Sequence, residues 1–483
     1  MLALNCSQLI FIFKVYMSYI PSKKSEILKN IFYPCSQMKD YESQFLLEII
    51  RAEGPYLYLK SGQKIIDGIA SWWCKSLGHQ HPRLKQALKD QLEKFEHVIM
   101  ANTTHENLIE LSQRLGSLCP DRYPDLNKVF YASDGSCAVE IALKLSLHSR
   151  KIMGEPKKTG VIALSNGYHG ETVGALSVSD LGRFKKPYQD FLFHTHMIQN
   201  LPYVLDPQDP VWSNCESYWE TIIPALEKLK DQTTAIIFEP IVQGSAGMKI
   251  ISADFFTRLN QFAKTHGIHL IADEIMTGLG RTGKLLACEY ANIQPDFVCL
   301  SKSLTAGFLP MSAVIMTNQI YEIFYDHDSS HNAESAEKSF LHSHTYSGNA
   351  LAVSVALENL KIIQEENICL RAQNLQIKMR ESFKNISDQT GCFNNIRGIG
   401  GIIAADLNLK NNQTLGPDFF NRAIQSGILL RPLGKTLYWF PPLNISDEAL
   451  GEMEQATLAL LIAESAPSQK DLMTRLIVNL LLD

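Results

Sequence analysis

Six short apolar runs, each followed at once by a polar loop, constrain this chain more than anything else in it. They lie at residues 129–131, 161–164, 235–238, 268–272, 297–300 and 313–316, with helical periodicity between them. Strands that read as continuous apolar runs are buried on both faces, which places them in a mostly parallel sheet with helices on either side. The expected fold class is therefore α/β, with a large mostly parallel-sheet domain. In open sheets of this kind the ligand crevice lies outside the carboxyl ends of the strands. The polar residues that follow each run are thus expected to converge, although they are distant in sequence.

The texture changes after about residue 346. Two long helical patterns, 350–365 and 370–386, lead into strand-like pieces at 402–405, 428–430 and 437–440, which predicts a smaller α+β domain. Near the N-terminus, 56–59 and 64–66 flank a Ser61-Gly62 turn and read as a hairpin that packs with that domain. The expected division is an N-terminal segment over 1–75 that packs with the small domain, a large cofactor-binding domain over 76–348 and a C-terminal small domain over 349–483.

With 483 residues, 45% of them hydrophobic and 20% charged, the chain can bury a large core. A net charge of −5 favours neither nucleic acid nor an acidic membrane surface as a partner. The ten cysteines include no C-x-x-C pair, which points away from a zinc site or a disulfide framework and toward a reducing, cytoplasmic compartment. The apolar stretches 9–13 and 15–20 are too short to span a bilayer and lack the features of a secretory signal, so Met17 reads as an alternative start. Residues 469–483 predict one last amphipathic surface helix.

Lys302 stands in a small-residue loop just after the run 297–300. A lysine there is badly placed for a solvated charge and well placed to form a Schiff base with a carbonyl cofactor. Asp273 ends the run 268–272. An acid at one strand end and a lysine at a later one are the minimal set for pyridoxal phosphate (PLP): the lysine meets the aldehyde and the acid the pyridinium nitrogen. A carboxylate there keeps that nitrogen protonated, and a lysine freed by the incoming amine can shuttle a proton. Taken singly, the pair reads equally well as a surface lysine and a capping aspartate. Gly135 and Ser136 open a helical run after a strand, a place suited to a phosphate or simply to an ordinary cap. Tyr168, between Gly167 and Gly170, can stack on a flat ring or sit on the surface. Glu239 and Gln243 could reach the ring or Asp273, although a plain strand-end turn is the stronger reading of them. His342 and His344 lack an acidic or cysteine partner at ligand spacing, so no metal is expected. Of the adjacent Trp72 and Trp73, a strand would send only one to each face. Arg431, and secondly Arg281, suit a substrate carboxylate, and Arg431 equally a structural ion pair.

The order and spacing of these motifs resemble those of the class III, fold-type I PLP-dependent aminotransferases over about residues 30–465. The pieces that carry the resemblance are Ser133-Asp-Gly-Ser136, Asn166-Gly-Tyr-His-Gly170, Phe238-Glu-Pro-Ile-Val-Gln243, Ala272-Asp-Glu-Ile-Met-Thr-Gly278, Gly280-Arg-Thr-Gly283, Ser301-Lys302 and His344-Thr-Tyr-Ser-Gly-Asn349. Within that class, Ser71-Trp-Trp73, Leu77-Gly-His-Gln-His-Pro82 and Leu430-Arg-Pro-Leu-Gly-Lys435 with Pro441-Pro442 are most similar to a branch that aminates 8-amino-7-oxononanoate to 7,8-diaminononanoate in biotin synthesis, usually with S-adenosylmethionine as donor. The resemblance implies Lys302 as the Schiff-base lysine, Asp273 on the ring nitrogen, Gly135 and Ser136 on the phosphate, and Tyr168 beside ring and substrate. It brings His344 and Thr345 to the phosphate from a partner subunit, hence a homodimer, and gives Trp72 and Arg431 to the oxononanoate in an apolar pocket with one carboxylate clamp. Two further positions of the substrate set depart from the family: Cys35 stands where a tyrosine is usual, and Ser343 where a glycine is usual. The first leaves the donor open between adenosylmethionine and lysine. The rival readings are another class III aminotransferase acting on an ω-amino acid or diamine, and an aminomutase on the same fold.

Overall fold

The computed structural model describes residues 30–42, 46–326, 337–408, 415 and 417–464. The N-terminal apolar stretches and the helix expected over 469–483 lie outside them. At the centre are seven strands, numbered here in chain order: β1 (Leu126–Ala132), β2 (Gly160–Leu164), β3 (His196–Ile198), β4 (Thr233–Phe238), β5 (His269–Asp273), β6 (Phe297–Leu300) and β7 (Ser312–Thr317). They form one sheet in the order β1-β7-β6-β5-β4-β2-β3. Pairing is parallel from β3 through to β6, and β7 runs antiparallel to both of its neighbours. All six apolar runs are strands of this sheet, and the mixed α/β architecture matches the fold-type I expectation.

Every residue of β4, β5, β6 and β7 is buried. Because successive side chains point to opposite faces, these strands feed two separate cores. Ile237, Ile271 and Val314 pack on one side with Val139, Ile141 and Ala142 of helix α1 (Gly135–Ile152). Ile236, Leu270 and Ile315 pack on the other with Phe255, Phe256 and Leu259 of α2 (Ala253–Thr265). Two covered faces leave a single direction for ligand access, the carboxyl edge of the parallel strands.

A second body assembles from both ends of the described chain. Ile49–Glu53, Tyr56–Leu59 and Lys64–Asp67 form an antiparallel meander, as the hairpin pattern predicts. Ile428–Leu429 then adds in parallel to Lys64–Asp67, with Leu429 opposite Asp67. Nearby, Phe393–Ile399, Ile402–Leu407 and Thr436–Trp439 make a three-stranded antiparallel sheet. Helix α4 (Ile368–Thr390), which follows α3 (Ala350–Glu365), covers this sheet through Phe383, whose ring lies 5.0 Å from Phe393 and 4.9 Å from Trp439. Among the described residues no helix is long and apolar enough to cross a membrane, and no cluster of three or more potential metal ligands occurs.

The meander is fastened to the next segment by a backbone exchange. His79 N–H donates to the Gly54 carbonyl at 2.7 Å, and Gly54 N–H to the His79 carbonyl at 3.0 Å. Gly78 allows this approach: its φ is +74°, and a Cβ there would lie 2.9 Å from the Gly54 oxygen. Gly78→Ala is therefore expected to cost roughly 1–3 kcal/mol of stability, read as a lowered midpoint in urea denaturation. An unchanged midpoint would contradict this account of the junction.

Candidate active site

The strand ends deliver the polar residues to one place. Asp273, the last residue of β5, is 4% exposed. Its Oδ2 lies 2.7 Å from His169 Nδ1, and its Oδ1 accepts the Ile275 N–H at 3.1 Å. Glu239, just after β4, accepts the N–H of Tyr168 on one oxygen and that of Gly244 on the other, both at 3.0 Å. Burial pushes its carboxyl up to about 7, with His169 opposing the rise and Asp273 adding to it. Glu239 thus pins the loop carrying Tyr168 and His169 to the end of β4. Tyr168 in turn donates its hydroxyl to Glu171 Oε1 at 3.1 Å.

Gly135 and Ser136 begin α1 behind the N-cap Asp134, whose side chain takes the Cys137 N–H at 3.0 Å. Helix geometry leaves the Gly135 and Ser136 N–H groups without intrahelical partners. Gly170 closes over them at φ +129°, where an added Cβ would fall 2.2 Å from Ser136 Oγ. Lys302 follows β6, with Nζ 5.3 Å from the centre of the Trp73 ring. Among the described residues its amine has no hydrogen-bond or ion-pair partner. Burial pushes the amine below the usual lysine range, while Asp273 and Glu239 pull it back up. Asp134, Gly135, Ser136, Tyr168, Asp273 and Lys302 line a cavity of about 200 Å³.

A second cavity of about 430 Å³ adjoins the first and shares Trp73, Tyr168 and Lys302 with it. Trp72, Arg431 and Cys35 line its outer part. The Arg431 guanidinium lies 4.3 Å over the Trp72 ring. The expected alternation of the two tryptophans along a strand is not what occurs. Ala70, Ser71, Trp72 and Trp73 all have positive φ, between 46° and 73°, which costs roughly 1–2 kcal/mol per residue. This turn brings both indoles to the cavity: Trp73 at 3% exposure, its Nε1 donating to Tyr438 Oη at 3.1 Å, and Trp72 at 42% exposure on the rim. The cavity also carries Arg183 and Glu171, which sequence reading did not single out. Three of the charged groups around it act on the Cys35 thiol: burial first and then Glu171 raise it, and Arg431 and Arg183 lower it.

The structure therefore gathers Lys302, Asp273, Tyr168, Gly135 and Ser136 around one cavity, and Trp72, Arg431 and Cys35 around its neighbour. Ser343, His344 and Thr345 line neither of them. Ser343 and Thr345 are exposed, and His344 Nδ1 is buried with no hydrogen-bond partner among the described residues. Arg281 lines neither cavity. It is fully buried, donates through Nη1 to the carbonyls of Gly401 and Pro441 at 3.0 and 2.8 Å, and is held down to about 9 by desolvation. Gln243 is spent on the Ser165 carbonyl and the Tyr203 hydroxyl rather than on Asp273. His169 is a further residue that sequence reading missed; it lies inside a motif read for its tyrosine.

The inner cavity fits PLP on its own features. It joins a partnerless amine, a carboxylate held rigidly across from it, an aromatic wall, and a helix N-terminus under a glycine whose side chain would fill the space. Comparison with known proteins agrees. The family model for class III aminotransferases matches residues 37–460. The adenosylmethionine-8-amino-7-oxononanoate aminotransferase of Helicobacter pylori is 35% identical over 90% of this chain and 95% of its own, and that of Synechococcus elongatus 34% over 89% and 98%. Among solved structures, the enzyme of that name from Methanocaldococcus jannaschii superposes with a TM-score of 0.81 at 29% identity, covering 92% of this chain and 98% of that one. A PLP-bound amine transaminase from an uncultivated Pseudomonas species gives 0.80 at 28%, covering 90% and 98%.

Glu239 provides a test of the site's electrostatics. The folded protein holds this proton up to a pH of about 7, whereas the ordinary value is 4.5. Between those values the folded state binds more protons, so the contribution of Glu239 to stability is complete at low pH and is lost as pH rises through the higher value. In thermal unfolding of cofactor-free protein, the margin of the parent over Glu239→Gln is expected to shrink from pH 5 to pH 8. A constant margin would show that Glu239 is not held protonated.

Proposed function

The chain belongs to the class III aminotransferases, which depend on PLP, and from that membership we propose that it aminates 8-amino-7-oxononanoate to 7,8-diaminononanoate, with S-adenosylmethionine as donor. The relatives' names supply both substrates. The observation in this chain that supports the reading most is Arg431, stacked on Trp72 in a cavity that also contains Lys302. A long keto acid needs a carboxylate receptor well away from the reacting ketone, with apolar walls between. Trp73, Phe184 and Tyr438 provide such walls.

PLP, when bound, supplies an aldehyde that exchanges amines and a ring that takes up electrons. Asp273 would face the ring nitrogen and keep it charged, and His169 and Ile275 fix that carboxylate so it does not turn away. Gly135 and Ser136 would receive the phosphate, and Tyr168 would lie against ring and substrate. Lys302 would hold the aldehyde. Once free, its Nζ would be the base that takes the proton from the donor carbon bearing the amine and, in the second half-reaction, the acid that delivers one to the acceptor carbon. Its lowered proton affinity enlarges the neutral fraction that this role needs.

Ser343, His344 and Thr345 stand away from their own chain's cavities, which supports a homodimer in which each copy completes the other's phosphate site. The scattered cysteines support a cytoplasmic setting. The parallel pairing of Lys64–Asp67 with Ile428–Leu429 supports an N-terminal segment, residues 1–75, that packs with the small domain of residues 349–483, beside a large cofactor-binding domain over 76–348.

Supplying the keto acid with adenosylmethionine or lysine in turn, and detecting diaminononanoate by mass spectrometry, tests the reading. Turnover with pyruvate or 2-oxoglutarate as acceptor, and none with the oxononanoate, would favour an ω-amino acid aminotransferase instead. Lys302→Ala should keep its fold, lose the covalent attachment of PLP that borohydride traps, and lose turnover. Arg431→Ala should raise KM for the keto acid roughly tenfold or more, with a smaller effect on the donor. Equal effects on both substrates would remove Arg431 from its role.

A further inference from the structure

Trp72 and Arg431 reach each other from two strand ends that lie side by side. Lys64–Asp67 and Ile428–Leu429 pair in parallel with Leu429 opposite Asp67, so both segments leave the sheet at the same level. Two residues beyond its strand, Arg431 covers the Trp72 ring. On the other segment, residues 70–73 form one turn of left-handed helix. Ser71 has φ 47° and ψ 52°, and Trp72 has φ 70° and ψ 48°. The amides of Trp73 and Cys74 bond back to the carbonyls of Ile69 and Ala70 at 2.9 and 3.0 Å. L-residues visit this geometry singly, glycine and asparagine most readily, and not as a run. The turn contains neither, so its own preferences do not hold it.

Asp67 does. Its side chain is 1% exposed. Oδ2 accepts the Ser71 hydroxyl at 2.6 Å and lies 3.1 Å from His79 Nε2, while Oδ1 faces the Ile69 N–H at 3.4 Å. His79 is itself fixed by its backbone exchange with Gly54. Ser71 lines neither cavity. Its bond acts on the backbone of the turn and touches no ligand.

We propose that Asp67, Ser71 and His79 are a positioning set that holds residues 70–73 left-handed against their own preference, and that this form keeps Trp72 beneath Arg431 for the carboxylate of the keto substrate. The proposal rests on the assignment of Arg431 to that carboxylate. When the turn is released, its backbone returns to ordinary regions, Trp72 withdraws, and the guanidinium loses the flat surface that orients it.

Two variants test this. Ser71→Ala removes one anchor. Adding Ala70→Gly removes the penalty for positive φ at one position, which favours the turn again without restoring the anchor. In Ser71→Ala, KM for 8-amino-7-oxononanoate is expected to rise about tenfold, while kcat and the donor KM move less than about twofold. The double variant is expected to recover to within about threefold of the parent. Hydrogen exchange at the Trp73 and Cys74 amides of cofactor-free protein should follow the same order: protected in the parent, fast in the single variant, slow again in the double. An unchanged KM in the single variant, a double variant no better than the single, or uniform exchange across the three would each overturn the proposal. A parent protein that does not aminate this acceptor would sink the functional reading instead, and the order of exchange would still decide whether the turn is held by these bonds.

Discussion

A carboxylate fixed at the end of a wholly buried strand is what the rest of the site is arranged around. An unpaired charge in that position would carry a desolvation penalty of several kcal/mol. Asp273 avoids it by sharing a short contact with His169 and accepting one backbone N–H. The histidine arrives on the loop after β2, so the loop must stay where it is, and Glu239 holds it there through the Tyr168 amide. Buried networks of this kind are satisfied as a unit or fail as one. Lys302 completes the balance from the opposite side, with burial pressing its amine toward neutrality and the two carboxylates restraining it.

The strands and the two principal residues were legible because their causes are local. A strand covered on both faces must be apolar throughout, so the runs at 235–238 and 297–300 coincide with β4 and β6 to within two residues. Asp273 and Lys302 stand at strand ends, where any polar residue faces the crevice. What remained hidden depends on partners remote in sequence. Nothing in Ala70-Ser-Trp-Trp73 announces a left-handed turn, and the residue that receives its inner indole, Tyr438, is 365 positions from Trp73. His169 acquires its role only from a carboxylate 104 residues later. Arg281, whose residue type suits a substrate carboxylate, is drawn inside by the Gly401 and Pro441 carbonyls. Glu239 spends both of its oxygens on backbone amides, which accords with a strand-end turn rather than with a hydrogen bond to the ring or Asp273.

The two cavities divide the work by chemistry. The inner one is closed by groups that fix a single bound ring. The outer one mixes aromatic walls with charges of both signs: Arg431 and Arg183 against Glu171. Their junction is built from Trp73, Tyr168 and Lys302, and the Trp73–Tyr438 bond joins the large sheet's crevice to the antiparallel sheet beyond. Any displacement of one sheet against the other is therefore felt at the indole beside the amine.

The pairing of Lys64–Asp67 with Ile428–Leu429 also bears on how the molecule is made. Every group around the inner cavity lies between residues 73 and 302, so a ribosome has released all of them before the strand that brings Arg431 exists. Until then the edge of the N-terminal meander waits without its neighbour, and an open edge invites pairing with another nascent chain. Lys64 is the exposed residue of that edge, and a lysine there deters foreign strands while the rightful one is still being translated.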